Sequence, residues 1–265
     1  MELTLRVSIA ALVNVIFENP LNGKAMLSLE RTASLQSSGE MSEIVVKAKP
    51  FGGAVKLLNP VSLQMLIGEF HYDSERSQEE QDFRILINPR SWGKTKDICR
   101  QHLNVTGRGI LEPGPERELE EEFADSLGIE IKDDDYYLQS KGMVIEDMPE
   151  NTDNIYAPGF STVRVYYLFE ALIKNREIIN MMLENSEKYS DSDLIKIVEE
   201  NIRHGGKGRT NAVLTLLRDE LIEYYKVISP DKRGRLLRFG KHLLDGHVTV
   251  ILDEISNSKY QRFIS

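Results

Sequence analysis

Residues 117–122, Arg-Glu-Leu-Glu-Glu-Glu, decide how this chain is read. Glu118, Glu121 and Glu122 are spaced i, i+3, i+4, an arrangement that on a helix makes their side chains neighbours about 5–6 Å apart. Like charges so placed cost roughly 0.2–0.5 kcal/mol per pair, and a hard divalent cation is the simplest way to turn that repulsion into attraction. The frame of the helix is well marked. Pro115 suits a first helical position, Leu119, Phe123 and Leu127 repeat as an apolar stripe, and Gly128 suits the position just past the end. The spacing predicts a helix over 115–127 whose charged face is opposed to a buried one. Taken alone, the glutamate run also fits a solvated acidic face on an ordinary amphipathic helix.

Strand patterns surround it. Leu3 to Phe17 is rich in apolar and β-branched residues, Asn22-Gly23 is a tight-turn signal, and Lys24 to Leu29 follows as a second strand. Ile44 to Ala48 reads as a third, running into Pro50-Phe51-Gly52-Gly53. Downstream, Tyr136 to Ile145 and Thr162 to Ile173 read as strands, the latter fully buried.

The double glycine and the acidic core together resemble the signature of the Nudix hydrolases. That signature runs Gly-Gly, five residues, Glu, seven residues, Arg-Glu-apolar-any-Glu-Glu, one residue, Gly, apolar. Gly52-Gly53 resembles its opening, and residues 117–122 match its helical core at every fixed position. The chain departs from it in two ways. Residues 54–116 separate Gly53 from Arg117, about 50 more than the signature holds, and the counts for its isolated glutamate fall on Asn59 and Gly109, with Glu112 the nearest acid. Ala124 stands at the terminal glycine, and Gly128-Ile129 comes one helical turn later.

The resemblance implies an α/β fold, a Nudix-type α/β/α sandwich around a mixed sheet, with an internal insertion and a helical C-terminal extension. The domains expected are a Nudix-like domain over 1–174, with the insertion at about 57–108, and the extension over 175–265. It also implies that Glu118, Glu121 and Glu122 hold Mg2+ or Mn2+ and that Arg117 orients a glutamate. Gly52 and Gly53 then belong to the substrate-binding part. The activity implied is hydrolysis of a phosphoanhydride in a nucleoside diphosphate linked to another group. In some family members the general base is a glutamate on a loop away from the helix. Glu146, after an apolar strand, is the candidate here, with a solvated loop acid as the alternative. Two other classes stay open: a Nudix-like ligand sensor or regulator without turnover, and a scaffold whose acidic helix is only surface.

Within the insertion, Val61 to Ile67 is apolar and Phe83 to Ile87 reads as a strand. The polar run from His71 to Asp82 is expected at the surface or lining a site, as a solvated loop or as a determinant of substrate choice. His71 and Asp73 are candidate metal ligands there. In the extension, Asp191 or Asp193 caps a helix to about His204, and Thr210 to Val227 is expected as another. Between them, His204 to Asn211 is a glycine-rich basic loop. Lys207 and Arg209 make it a candidate phosphate contact, a flexible connector being the alternative. It is not a Walker loop, because Arg203 and Arg209 stand where that motif has Gly and Lys.

With 265 residues the chain is long enough for an ample core. A net charge of −9 argues against general nucleic-acid binding or an anionic-membrane surface, while a small nucleotide-type substrate remains compatible through metal ions. The single cysteine, Cys99, excludes an intramolecular disulfide and is read as structural. Residues 8–17 are too short to span a bilayer, so a soluble, cytoplasmic protein is expected, with a homodimer left open.

Overall fold

The computed structural model describes residues 2–38, 41–102, 109–151, 159–204, 212–228 and 236–257. In chain order the elements are β1 (Leu5–Glu18), β2 (Ala25–Ser38), β3 (Met41–Lys49), β4 (Phe51–Ala54), β5 (Lys56–Leu57), α1 (Pro60–Ile67), β6 (Phe70–Tyr72), α2 (Glu75–Glu79), β7 (Arg84–Ile87), α3 (Trp92–His102), β8 (Leu111–Glu112), α4 (Pro115–Leu127), β9 (Tyr136–Asn151), β10 (Ser161–Ile173), α5 (Arg176–Lys188), α6 (Asp191–Arg203), β11 (Ala212–Leu217), α7 (Arg218–Val227), β12 (Leu237–Phe239), β13 (His242–Leu244) and α8 (Gly246–Asn257). The fold is α/β with a large mixed sheet: β1–β2, β2–β3, β2–β11, β1–β7 and β12–β13 pair antiparallel, and β13 meets β3 in parallel.

Contacts divide the chain into two compact units, one of residues 1–12, 52–116 and 140–169, the other of 13–51, 117–139 and 170–265. The units are interleaved in sequence, whereas the motif reading drew a single boundary after residue 174. Long strands explain the interleaving, since β1 and β10 each contribute a stretch to both units.

In the first unit, alternate residues of β1 (Leu5, Val7, Ile9, Ala11) enter a core with Phe83, with Ile85 and Ile87 of β7, and with Val163, Val165 and Tyr167 of β10. The segment between β5 and β8 leaves and returns through a two-stranded ribbon, in which Lys56 faces Glu112 and Leu57 faces Leu111. Its ends are therefore held side by side, and a long segment is accommodated at small entropic cost. Val61 to Ile67 forms α1, with Asn59 as N-cap, Leu63 and Ile67 buried, and Val61 and Met65 exposed. Cys99 is buried, Tyr167 donates its hydroxyl hydrogen bond to the Cys99 carbonyl at 2.7 Å, and burial pushes the thiol up to about 12, consistent with a structural role.

The polar run from His71 to Asp82 is not simply a surface loop. Asp73 is buried, 2.7 Å from the Arg6 guanidinium, and accepts hydrogen bonds from Ser74 and Ser77. Asp82 is buried 2.7 Å from Lys56. These acids fold into the unit because each meets a cation from outside the run, which spacing within the run cannot reveal. His71 is exposed beside Glu69, so the suggested His71–Asp73 ligand pair is corrected: Asp73 is committed to Arg6.

In the second unit, Ile16, Leu27, Leu29 and Ala48 of the sheet pack with Leu214, Leu216, Leu221, Val248 and Leu252. The helix expected over 210–227 is corrected. Residues 212–217 form β11 along β2, with Val213 facing Glu30 and Leu217 facing Met26, and only Arg218–Val227 is helical. Ala-Val-Leu-Thr-Leu-Leu is apolar on both strand faces, a run whose periodicity does not separate helix from strand; the backbone partners on β2 decide it. The C-terminal part thus carries strands as well as helices.

Asp245 caps α8, accepting from the backbone N–H and the ring Nδ1 of His247 and standing 2.6 Å from Lys47 Nζ. Burial opposes its ionisation, but the His247 hydrogen bond and charge, with Lys47, hold the carboxyl well below the usual range. A depressed folded pKa gives stability that is fully present above the unfolded value near 3.9, declines below it and is lost as pH falls through the folded value. Asp245→Asn is therefore expected to cost about 2 kcal/mol at pH 7 and roughly 1 kcal/mol less than that at pH 3, read from urea unfolding at both. The same cost at both pH values would refute the electrostatic account.

Candidate functional site

Helix α4 begins at Pro115 and ends where Gly128, at φ +68°, takes the left-handed conformation; the Gly128 and Ile129 N–H groups donate back to Ala124 and Phe123. Leu119 and Phe123 are fully buried, and Phe123 stacks at 5.3 Å on Phe51, which immediately precedes the double glycine.

The three glutamates do not share one solvated face. Glu118 has a side chain only 7 % exposed, 2.8 Å from Arg117 Nη1. Glu122 is 18 % exposed and points to Lys49, 3.6 Å away. Glu121 is 59 % exposed and meets Arg117 at 3.3 Å. The expected opposition of a charged face to a buried one is thus corrected: Glu118 and Glu122 lie beside Leu119 and Phe123, at the edge of the buried side, where the unit supplies cations to meet them. Among the described residues, no three His, Cys, Asp or Glu side chains gather as metal ligands.

Two partners of Glu122 are absent from the motif. Glu30 of β2 and Lys49 of β3 face each other across the antiparallel pair, and Lys49 Nζ lies 2.6 Å from Glu30 Oε2. Glu122 comes into this pair from α4. Its Oε2 is buried and has no donor; the adjacent Glu30 carboxyl can hydrogen-bond to it only if one of the two carries a proton. Burial, then that shared hydrogen bond, push Glu122 well above the usual carboxylate range against the pull of Lys49, and the charges of Glu30 and Glu118 add to the shift. In chemistry the donors fit a hard cation such as magnesium or manganese, being carboxylate oxygens of which two buried ones, Glu30 Oε2 and Glu122 Oε2, lack a hydrogen-bond donor.

The remaining predicted residues are placed as follows. Gly52 has φ +127°, and a Cβ there would come 2.1 Å from the Ala11 carbonyl oxygen, so glycine is required for β4 to approach β1. Gly53 follows it in β4. Glu146 lies on β9, not on a loop. It accepts from the Tyr166 hydroxyl at 3.3 Å and lies 3.6 Å from Arg164. Glu112, in β8, is exposed. Gly52, Gly53 and Glu146 belong to the first unit, and Arg117, Glu118, Glu121 and Glu122 to the second. Lys207 and Arg209 lie outside the described residues. Glu30 and Lys49 went unread because each stands one residue beyond a strand pattern that closes on an apolar residue, Leu29 or Ala48. A charged residue continuing a buried strand was the available signal.

No protein-family model matches the chain, and neither a curated protein nor a solved structure matches it. Among the described residues, no helix is long and apolar enough to cross a membrane.

Proposed function

We propose that this is a soluble, cytoplasmic Nudix-type hydrolase that uses Mg2+ or Mn2+ to cleave a phosphoanhydride bond in a nucleoside diphosphate-linked compound. The observation that supports this most is the half-neutralised carboxyl pair formed by Glu30 of β2 and Glu122 of the helix that carries the signature core, each with a buried oxygen lacking a donor. Two acidic groups in contact, with one ammonium between them, favour a further cation. Glu118 and Glu122 would hold it, with Glu121 joining from its exposed position. A bound divalent ion would draw charge from the bridging phosphates and lower the pKa of the attacking water. The chain's own groups do the positioning. Arg117 braces Glu118 and Glu121 through its guanidinium, the Phe51–Phe123 stack anchors the helix, and the Glu30–Lys49 pair fixes where Glu122 points.

The test is a screen of nucleotide sugars, dinucleotide cofactors and nucleoside triphosphates, with a coupled phosphatase and phosphate detection. Turnover of at least one class in magnesium or manganese, lost in EDTA, is the expected result. Absence of turnover across the screen, with both ions present, would refute the hydrolase reading. Cation-dependent binding of a nucleotide without turnover would favour the sensor instead.

A further inference from the structure

We propose that Lys49 is the chain's own cation at this site: it holds the Glu30 and Glu122 carboxyls in the absence of metal, and a divalent ion binds in competition with it. The inference rests on the reading of α4 as a metal site, and adds to it two residues that lie outside the signature. Register carries the argument. Glu30 and Lys49 are directly opposed in the β2–β3 pair, so two strands deliver the ammonium and one carboxyl together, and α4 delivers the second carboxyl to the same ammonium. One positive charge then serves two carboxyls, and a buried oxygen of each, Glu30 Oε2 and Glu122 Oε2, lacks a hydrogen-bond donor.

A divalent ion would match both carboxyls, but it cannot share their oxygens with an ammonium 2.6 Å from one of them without strong repulsion. Lys49 is equipped to yield. Its side chain is 29 % exposed, more than Glu30 at 17 % or Glu122 at 18 %, and its flexible stem lets the head swing toward water. An ordinary cross-strand ion pair would behave differently, since it would steady the strands and leave metal affinity alone or weaken it when broken.

The experiment titrates the full chain with Mn2+ alone, by calorimetry and by the paramagnetic resonance signal of the free ion, in the parent, Lys49→Met and Lys49→Arg. Removing the ammonium raises the pair's attraction for every cation, the proton included, but a doubly charged ion gains more. Lys49→Met should therefore bind Mn2+ about tenfold or more tightly than the parent. Lys49→Arg keeps the charge and grips carboxylates with two donors, so it should bind about threefold or more weakly. Binding by Lys49→Met where the parent shows none also supports the proposal. A folded Lys49→Met with affinity equal to or below a parent that binds overturns the competition and leaves the metal reading standing. If neither binds, the metal reading falls and the proposal with it. Should Lys49→Met fail to fold, Lys49→Arg decides, and affinity at or above that of the parent overturns the proposal.

Discussion

Glu122→Gln should lower turnover of the best substrate by about a hundredfold or more while leaving the protein as stable as the parent, or more so. Loss of a ligand from a hard-cation site removes charge stabilisation that operates in the transition state, which sets the expected scale. The stability half follows from the state of the carboxyl pair. Without a cation, Glu122 is pushed toward its protonated form by burial and by the hydrogen bond shared with Glu30, and glutamine has the shape and donor capacity of that form. The amide can donate to Glu30 and leaves Lys49 to pair with it. Steady-state kinetics and urea unfolding measure the two halves. A large loss of stability would make Glu122 a structural residue, and unchanged turnover would remove it from the site.

Gly52→Ala should destabilise the fold by about 3 kcal/mol or more, because two penalties coincide at one position. A φ of +127° is strained for any residue with a side chain, and the added Cβ would sit 2.1 Å from the Ala11 carbonyl oxygen and 3.0 Å from its carbon. Those atoms are backbone, fixed in a strand whose neighbours are buried, so they cannot swing aside as a side-chain tip would. A shift in the urea midpoint with an unchanged slope would show the effect as lost stability. A variant within about 0.5 kcal/mol of the parent would mean that β1 and β4 separate easily, and the packing account of this glycine would be wrong.

The double glycine drew attention as the opening of a motif, and at Gly52 a packing reason alone is enough to demand glycine. The acidic helix was legible from end to end: Pro115, the Leu119–Phe123 repeat and Gly128 bounded it correctly, because helix ends and apolar stripes depend on residues within a few positions of one another. Strands β1, β3, β7 and β10 were legible for the same reason. The stretch at 212–217 was misread because its apolar run suits either structure, and the choice is made by pairing with β2, far away in sequence.

The sequence by itself determined that residues 115–127 form a helix, that its glutamates stand at i, i+3, i+4, and that strands precede and follow it, since each depends on local spacing and propensity. Tertiary structure alone decided what Glu122 meets, whereas Glu118 and Glu121 pair with Arg117 of their own helix. Glu122 enters the pair formed by Glu30 and Lys49, two residues that neighbouring strands bring together. The same holds for Asp73, which only the fold of the first unit brings to Arg6. A charge is stabilised by whatever lies within a few ångströms of it, and for Glu122 and Asp73 those neighbours come from other strands, whose register is set by the packing of the sheet rather than by any spacing along the chain.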